Sequence, residues 1–296
     1  MIPEVSIIIV HYRAKKELFD CLSAIDRSKP TTTYELIVVD NDVDERVEKY
    51  LEKVAPWVRY VRSVRNVGFG AGNNLGAKKA RGKYLFFLNP DTIVGKETID
   101  QCVYAMIKRK IVGIVAPQLL DRKRQVYPFQ CTDTLTPLTG LVAHSVINRF
   151  FPKNTISERY WLSEWDRKSQ REVEVIHGAA FMVEKALFEK LGGFDEQFFM
   201  YFEESDFCLR VRQAGRSILF EPKAKVIHLS GKSTADKKKA LEIYRRSRTY
   251  YFTKHFGLVE GKLCEVLFWT LDRWKGVSFI LAVVVLAGIR YAKRGK

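Results

Sequence analysis

The sequence lacks the cysteine pattern of a disulfide-stabilised protein. Its cysteines are an odd number, widely spaced and without a C-x-x-C pair, at Cys21, Cys102, Cys131, Cys208 and Cys264. This pattern predicts a reduced, cytoplasmic compartment in which the thiols are ordinary core or surface groups. The N-terminus also lacks a basic leader with a cleavage site, so no signal peptide is predicted.

Two common phosphate-binding motifs are missing as well. The glycine-rich stretch 65–76 does not fit G-x-G-x-x-G, because Asn73 or Leu75 stands where the third glycine is required. It also follows the third predicted strand rather than the first, which disfavours a nicotinamide cofactor. The segment His228-Leu-Ser-Gly-Lys-Ser233 is not a P-loop, because Val226 stands where the first glycine is required.

Acidic residues are scarce relative to basic ones. The chain has 34 Asp and Glu against 50 Lys and Arg, a net charge of +16. Residues 222–296 alone hold 17 Lys or Arg and 5 Asp or Glu, and therefore carry +12 of that charge. A basic end of this kind predicts an anionic surface partner, either membrane lipid or nucleic acid.

The chain also has no apolar run long enough for a simple membrane span. The apolar stretch 277–289 has 13 residues and is flanked by basic residues on both sides, whereas a spanning helix needs about 20. The length and the flanking charge favour an interfacial or re-entrant helix on an anionic membrane. A helix packed on the domain and a true span are the alternatives.

Hydrophobic periodicity predicts alternating strands and helices in the first half of the chain. Apolar runs predict strands, and helical spacing predicts the helices between them. The predicted strands are 5–10, 35–40, 58–64, 84–88 and 112–116, and the predicted helices are 15–27, 43–54, 72–81 and 96–108. This order predicts an α/β fold with a mostly parallel central sheet, right-handed crossovers and flanking helices.

The periodicity weakens after Pro117. Residues 118–172 are irregular, which is typical of a functional loop or lid. Beyond them the pattern predicts strands at 173–177, 179–183, 217–220 and 225–228, and helices at 184–191, 203–214, 237–255, 260–272 and 277–291.

The strand predicted at 84–88 runs directly into Asn89-Pro90-Asp91. Open α/β sheets bind ligands beyond the carboxyl ends of their strands, and a carboxylate there suits Mg²⁺ or Mn²⁺ holding a diphosphate. A simple turn is the alternative, because Asn-Pro-Asp has good turn chemistry. His228, after a later strand, would complete such a metal site, although a single histidine is more often structural.

Asp40 and Asn41 end the second predicted strand at the same edge of the sheet. A carboxylate there can accept hydrogen bonds from a ribose or from the imide N–H of a pyrimidine base. The alternative role is an N-cap for the following helix. The glycines of 65–76 would let the backbone approach a ligand closely, or would serve only to start a helix.

Aromatic residues and three carboxylates meet between Phe198 and Arg210. Glu203, Glu204 and Asp206 stand at the start of a predicted helix, where acids also suit the helix dipole. Aromatic side chains beside carboxylates can form a pocket that tunes a general base. Glu203 and Asp206 share a helix face and Glu204 points elsewhere, so at most two of the three serve one site directly.

Taken together, these segments resemble glycosyltransferase family 2, the inverting GT-A class, and most closely its rhamnosyltransferase-like members. The resemblance covers residues 4–232, and its pieces occur in the family's order. They are 5–12, Val38-Val-Asp-Asn41, Asn66-Val-Gly-Phe-Gly-Ala-Gly-Asn-Asn74, Asn89-Pro90-Asp91, His177-Gly-Ala-Ala-Phe-Met-Val183, Gly192-Gly-Phe-Asp-Glu196, Tyr201-Phe-Glu-Glu-Ser-Asp206 and the segment 228–233.

The resemblance implies a GT-A-like, Rossmann-like catalytic domain over 1–235. Its nucleotide-sugar half would be 1–117 and its acceptor half 118–235, with a basic, partly apolar helical tail over 236–296. The implied donor-binding residues are Val10, His11, Tyr12, Asp40, Asn41, Asn66, Gly68, Phe69, Asn73, Asn89 and Asp91. The implied acceptor-binding residues are Trp161, His177, Gly178 and Tyr201. Asp91 and His228 would bind the divalent cation, Mg²⁺ or Mn²⁺.

The implied reaction moves a sugar, with rhamnose suggested by the subgroup, from a dTDP- or UDP-sugar to a saccharide or lipid-linked saccharide in cell-surface polysaccharide synthesis. Glu204, or failing it Glu203 or Asp206, would be the base, and the protein would lie on the cytoplasmic face of the cell membrane. Two departures stand out. Asn89 replaces the first acid of the family's Asp-x-Asp motif, and Glu204 replaces the usual Asp of its Glu-Asp motif.

Three other classes fit parts of the sequence. A nucleotidyltransferase would carry a glycine-rich, arginine-containing loop after the first strand, but 11–15 has no glycine. A nucleic-acid-binding protein would explain the charge, yet that charge lies beside an apolar helix rather than among stacking aromatics, so no nucleic acid is expected. The departures at Asn89 and Glu204 leave an inactive nucleotide-sugar-binding module as the third class.

Overall fold

The computed structural model describes residues 2–229 and 237–273. The chain divides into two compact units, Met1–Thr132 with Asp166–Ser247 and Asp133–Trp165 with Arg248–Lys296. The helix predicted at 277–291 and the end of the segment 228–233 lie outside the described residues. Within the described ranges, no helix combines the length and the apolar character that crossing a membrane requires.

The strands follow the apolar runs of the sequence closely. They are β1 (Val5–His11), β2 (Tyr34–Asp40), β3 (Arg59–Arg62), β4 (Tyr84–Leu88), β5 (Thr92–Val94), β6 (Val112–Leu120), β7 (Cys131–Thr132), β8 (Arg171–Glu172), β9 (Val175–Ile176), β10 (Ala180–Glu184) and β11 (Ser217–His228). Every residue of β1 and β4 is buried, as expected for strands covered on both faces.

The helices alternate with strands up to β6, except between β4 and β5, and then fall in three groups, α5–α7, α8–α9 and α10–α11. They are α1 (Lys15–Ser28), α2 (Glu48–Val54), α3 (Phe69–Ala77), α4 (Thr98–Lys108), α5 (Pro137–Ala143), α6 (Val146–Phe150), α7 (Thr155–Tyr160), α8 (Lys185–Lys190), α9 (Glu203–Gln213), α10 (Lys237–Phe256) and α11 (Leu258–Arg273).

The central sheet has a parallel half and a mixed half. Its order is β3-β2-β1-β4-β10-β6-β11-β5, with β8 pairing at β11. The strands β3, β2, β1 and β4 are parallel, and β11 runs parallel to β6. In contrast, β10 is antiparallel to both of its neighbours. The predicted α/β sheet is confirmed, but the antiparallel insertion of β10 was not predicted.

The core of the first unit forms where apolar strand residues meet the apolar faces of the helices. Ile7, Ile9 and Val38 are fully buried on one side of the sheet with Leu18 and Ile25 of α1. Burial of such side chains is the main source of stability in a domain of this size. This core holds the carboxyl ends of β1, β2 and β4 at one edge of the sheet.

Two predicted elements differ in detail. The strands predicted at 217–220 and 225–228 are one strand, β11, with an irregular register between Glu221 and Lys225. Residues 118–172 are not simply irregular, because they contain the end of β6 and three short helices. Those helices begin with side-chain caps at Thr136, Ser145 and Asn154, which local sequence patterns favour.

The second unit contains α5, α6, α7, the end of α10 and α11. Val142, Ile147 and Leu271 form a small buried cluster there. Gly140 faces the ring of Phe252, and a Cβ at this position would lie 2.7 Å from the ring's Cζ atom. The guanidinium of Arg248 stacks over the ring of Phe268 at 3.4 Å.

Candidate active site

Asp40, at the end of β2, is the centre of a buried hydrogen-bond network. Its Oδ1 lies 3.0 Å from Nδ1 of His11, the residue paired with it in β1. Its Oδ2 accepts hydrogen bonds from the hydroxyl of Tyr60 at 2.9 Å and from the backbone N–H of Val47 at 3.1 Å. Burial alone would raise the pKa of Asp40, but these hydrogen bonds together lower it. The carboxylate is therefore ionised and firmly held at the sheet edge.

This hydrogen-bond network bears on the predicted role of Asp40 in binding the nucleotide sugar. The side chain is fully buried, and both oxygens already accept hydrogen bonds from the protein. His11 is also engaged, since its Nε2 accepts the N–H of Ala14 at 3.4 Å. A direct contact of Asp40 with a base or ribose stays a prediction, and the structure itself gives the side chain a scaffolding role.

Asn41 connects the end of β2 to the glycine-rich loop. Its Nδ2 donates to the carbonyl of Gly68 at 2.8 Å. Its Oδ1 is buried and has no hydrogen-bond partner among the described residues. Buried polar atoms of this kind usually have a hydrogen-bond partner, so this oxygen is available to accept a hydrogen bond from a ligand.

Gly68 takes a conformation that requires glycine. Its φ is +89°, and a Cβ there would lie 2.0 Å from the carbonyl oxygen of Phe199. The neighbouring N–H of Phe69 donates to that same carbonyl at 2.9 Å. The loop before α3 is thereby fixed against the segment that leads into α9.

The remaining predicted donor residues lie around this loop. Asn66 accepts the N–H of Gly68 through Oδ1 at 3.0 Å, whereas Asn73 is buried and its Nδ2 donates to the carbonyl of Phe69. Val10 lies against Gly72. Tyr12, just beyond β1, is partly exposed.

Asn89, Pro90 and Asp91 follow β4, as predicted, and β5 begins at once. The Oδ1 of Asp91 lies 3.4 Å from Nε2 of His228, the last residue of β11. The backbone reinforces this proximity, because the N–H of Leu229 donates to the carbonyl of Asp91 at 2.9 Å. Two predicted cation ligands, distant in sequence, therefore meet at one point.

The residues at this point fit a divalent cation that is shared with a substrate. A carboxylate and an imidazole nitrogen face each other, and Oδ1 of Asn89 is buried without a partner in the described part of the chain. Within those same ranges, no cluster of three or more His, Cys, Asp or Glu could hold a metal by itself. A cation here would need further oxygen ligands, which a diphosphate supplies.

His177 and Gly178 lie next to this centre. The ring of His177 is 5.4 Å from that of His228, centroid to centroid. Burial, followed by the nearby His228 ring, lowers the pKa of His177 to about 4, so the ring is neutral at pH 7. A Cβ on Gly178 would lie 3.7 Å from both Phe69 and the Cβ of Glu204. Gly178 therefore lies directly beside Phe69 and Glu204.

Glu203, which is buried, and Glu204, which is partly exposed, stand at the start of α9. Each has an Oε2 atom that is buried and makes no hydrogen bond to any described residue. Burial raises the pKa of Glu204 to about 7. Burial and then the charge of Glu204 raise the pKa of Glu203 well above its usual value. A carboxylate with a pKa near neutrality is suited to general base catalysis.

Asp206 has a different environment from the two glutamates. It is fully buried, and its Oδ2 accepts a hydrogen bond from Nε of Arg210 at 2.9 Å and lies 2.7 Å from Nη2. Arg210 also donates to the carbonyls of Leu191 and Gly193. Asp206 thus anchors the loop after α8, and of the three predicted base candidates the two glutamates have an unengaged carboxyl oxygen.

The remaining acceptor candidates lie in different places. Tyr201 and Phe202 precede α9 with left-handed φ values of 71° and 70°, which turns the chain sharply into Glu203. Their rings contact Tyr244 of α10. Trp161 belongs to the second unit, where it packs against His144 and Tyr160. Its acceptor role stays a prediction.

Two residues that hold the site were not predicted. Arg46 donates to the carbonyls of Asp40 and Ser63, which joins the ends of β2 and β3. No sequence signal distinguishes it from other basic residues of its segment. Arg210 stands four residues after Asp206, a spacing that places both side chains on one helix face, so this ion pair was visible in the sequence.

The fold is that of the GT-A glycosyltransferases. The structure of GalNAc-T7 with UDP, GalNAc and Mn²⁺ aligns with a TM-score of 0.58 and 14% sequence identity, covering 95% of this chain and 58% of that chain. At this identity the likeness shows the fold alone. The predicted GT-A-like fold is confirmed.

Sequence comparison gives the family. The model of glycosyl transferase family 2 matches residues 6–192, and the chain belongs to this family. It is 28% identical to the N-acetylglucosaminyl-diphospho-decaprenol L-rhamnosyltransferase of Mycobacterium tuberculosis, with 88% of this chain and 86% of that one covered. It is 27% identical to a low-salt glycan biosynthesis hexosyltransferase of Haloferax volcanii, covering 74% of this chain and 64% of that protein's length.

Proposed function

We propose that the protein is an inverting glycosyltransferase that moves a sugar, rhamnose in the first instance, from a dTDP- or UDP-sugar to a lipid-linked saccharide. One observation carries the proposal: the ends of β4 and β11 bring Asp91 and His228 together, while Gly178 and Phe69 connect that region to Glu204. The Mycobacterium relative, whose name specifies both rhamnosyl transfer and a diphospho-decaprenol saccharide, supports this choice of donor and acceptor.

Two side-chain oxygens on the donor side, Oδ1 of Asn41 and Oδ1 of Asn89, are buried without a hydrogen-bond partner among the described residues. Asp91 and His228 would hold Mg²⁺ or Mn²⁺ with the diphosphate, and Oδ1 of Asn89, two residues before Asp91, would accept a hydrogen bond from a hydroxyl of the donor sugar or bind the ion. A bound divalent cation neutralises the charge that develops on the leaving nucleoside diphosphate. The glycine-rich loop and Asn41 would shape the nucleoside and sugar pocket.

Glu204 performs the proton transfer in the proposed reaction. Its carboxylate takes the proton of an acceptor hydroxyl while that oxygen bonds to the anomeric carbon. The bond from this carbon to the diphosphate oxygen breaks with its electron pair, and the anomeric centre inverts. Gly178 carries no side chain beside Glu204, which would leave room for the acceptor next to Phe69.

The first test is a donor screen with the full chain. Released nucleotide is measured for a panel of dTDP-, UDP- and GDP-sugars, with Mg²⁺, Mn²⁺ or a chelator, and with a polyprenyl-diphosphate saccharide as acceptor. Cation-dependent release from one donor is the expected result. If no donor is turned over and calorimetry detects no nucleotide-sugar binding, the transferase proposal is wrong.

The cation site has its own test. Asp91→Asn should reduce cation-dependent turnover by at least about 100-fold, because the site loses its one carboxylate, while the protein stays folded. Asp166→Asn, at an exposed aspartate of the same unit, is the matched control and should keep full activity. Near-normal turnover in Asp91→Asn would refute the cation role of Asp91.

We further propose that the basic last quarter of the chain holds the enzyme on an anionic membrane, where a lipid-linked acceptor resides. The +12 charge of residues 222–296 supports this proposal. Binding to RNA but not to anionic vesicles would favour the nucleic-acid alternative instead.

A further inference from the structure

Helix α11 is apolar on two opposite faces. Its inner face, formed by Gly261, Cys264, Phe268 and Leu271, is buried in the second unit. Its outer apolar face, formed by Leu258, Val259, Leu263, Val266 and Trp269, is 51–75% exposed at each position. A surface helix normally turns a polar face to solvent, whereas a helix that is apolar all round is covered by protein or lipid.

The five exposed apolar side chains lie together along one side of α11, and this set is called the stripe. At 100° per residue, positions 258, 259, 263, 266 and 269 fall on one half of the helix. Lys262 and Arg273 fall on the same half of the helix, and Nζ of Lys262 pairs with Glu265 at 3.0 Å. Exposed apolar stripes of this kind mark interaction surfaces.

Charge and chain continuity point to lipid as the partner that covers this stripe. The chain beyond α11 begins at Trp274 and holds the apolar stretch 277–289. Residues 274–296 contain five Lys or Arg and no Asp or Glu, which is complementary to anionic headgroups. Trp269 on the stripe is a residue type enriched at membrane–water interfaces.

We propose that the outer apolar face of α11 lies on an anionic lipid membrane. The helix has 16 residues, a length of about 24 Å that suits a helix lying in the interface. This inference extends the proposed membrane partner and rests on that part of the proposed function. It differs by assigning the apolar contact to α11, in addition to the electrostatic attraction of the basic segments.

A double substitution in the full chain tests the proposal. Leu263→Gln with Val266→Gln removes two apolar side chains, which are 57% and 59% exposed. The matched control is Ile107→Gln with Ile111→Gln, at and just beyond the end of α4, where the exposures are also 57% and 59%. Binding is measured by cosedimentation with phosphatidylcholine vesicles containing phosphatidylglycerol, at low and high salt, together with thermal melting without lipid.

The expected result is at least about tenfold weaker vesicle binding for Leu263→Gln/Val266→Gln, since two apolar side chains no longer enter the lipid. The difference should persist at high salt, and the control should bind like the wild type. Electrostatic attraction by the basic segments would instead disappear at high salt in every variant, so the two contributions are distinguishable.

Three outcomes would overturn the proposal. Equal vesicle binding by the double variant and the wild type would place the membrane contact elsewhere. A lower melting temperature than the control without lipid, with unchanged vesicle binding, would show that residues 274–296 cover the stripe. A dimer in sedimentation velocity that the double variant loses would show that a second copy covers it.

Discussion

The carboxyl group of Glu204 has a pKa of about 7, which lets it exchange a proton at neutral pH. Its removal is the most direct test of the proposed chemistry. Glu204→Gln should lower the transfer rate by at least about 100-fold, the usual loss when a general base is removed. Calorimetry should show that the variant still binds the nucleotide sugar, because the residues proposed to bind this donor are unchanged.

Glu203→Gln is the matched comparison for this substitution. It changes a neighbouring buried carboxyl group in the same way and should retain most of the transfer activity. Loss of activity in Glu203→Gln but not in Glu204→Gln would reverse the assignment of the base.

The pH dependence follows from the same raised pKa. Only the ionised base accepts a proton, so kcat/KM should rise with pH and level off above about 7. Stability should change in the opposite direction. Glu204 holds its proton more tightly in the folded state than in the unfolded chain. Its contribution to stability therefore falls as the pH rises from 4.5, the usual pKa of a glutamate, to about 7.

Thermal melting checks this sign. Glu204→Gln, which cannot ionise, should melt at a higher temperature than the wild type at pH 8, and the difference should vanish at pH 4. A lower melting temperature at pH 8 would contradict the burial of an ionised Glu204.

The ion pair between Asp206 and Arg210 stabilises helix α9, which carries Glu203 and Glu204. Arg210→Met leaves a buried carboxylate without its partner, which typically costs about 3–5 kcal/mol of unfolding free energy. Urea denaturation measures this loss. Adding Asp206→Asn to the same chain should recover part of the stability, and no recovery would show that Arg210 acts mainly through the carbonyls of Leu191 and Gly193.

At the scale of elements, the glycine-rich loop and the entrance to α9 are locked together at Gly68. Gly68→Ala should lower both stability and activity, because its Cβ would collide with the carbonyl oxygen of Phe199. We expect a loss of more than about 1 kcal/mol. Gly215→Ala is the control, since Gly215 has a similar positive φ but no atom within 4 Å of an added Cβ. Equal losses in the two variants would show that backbone strain alone matters.

The elements that could be predicted from the sequence are those whose signal is local. Continuous apolar runs identified β1, β2 and β4, and the Asn-Pro-Asp turn was placed correctly at the end of β4. The antiparallel position of β10 could not be predicted, because strand pairing depends on contacts between residues far apart in the chain. The three-residue strand β5 was missed because it is too short for a periodic pattern.

At the candidate site, too, the local sequence signals could be used for prediction and the contacts between distant segments could not. Asp91, His228 and Glu204 were selected by their types and positions, and the structure brings Asp91 and His228 together. The full engagement of Asp40 by His11, Tyr60 and Val47 was not predictable, because these partners come from separate segments. The structure also separates Glu204 from Asp206 in the same helical turn, because the Asp206 carboxylate pairs with Arg210 whereas Oε2 of Glu204 has no hydrogen-bond partner among the described residues.

At the scale of the whole molecule, the uneven charge predicts salt-sensitive membrane binding. Replacing Lys237, Lys238 and Lys239 by Gln should weaken binding to anionic vesicles, with about 1 kcal/mol lost per charge near the surface and hence roughly 100-fold in total. The control replaces Lys108, Arg109 and Lys110, an exposed basic triplet at the end of α4, by Gln. Equal weakening in both triplets would mean that net charge, rather than its location, determines binding.

The antiparallel strand β10 has a consequence for how such enzymes can diversify. It pairs with β4 from Ala180 opposite Leu88 to Glu184 opposite Tyr84, and Asn89 donates its N–H to Ala179. One ladder of backbone hydrogen bonds therefore sets the spacing between the turn at Asp91 and Gly178. Because side chains alternate along a strand, inserting or deleting one residue in β10 would turn its buried side chains to the opposite face. Changes of acceptor should therefore arise by substitution around β10, while changes in chain length are confined to the loops.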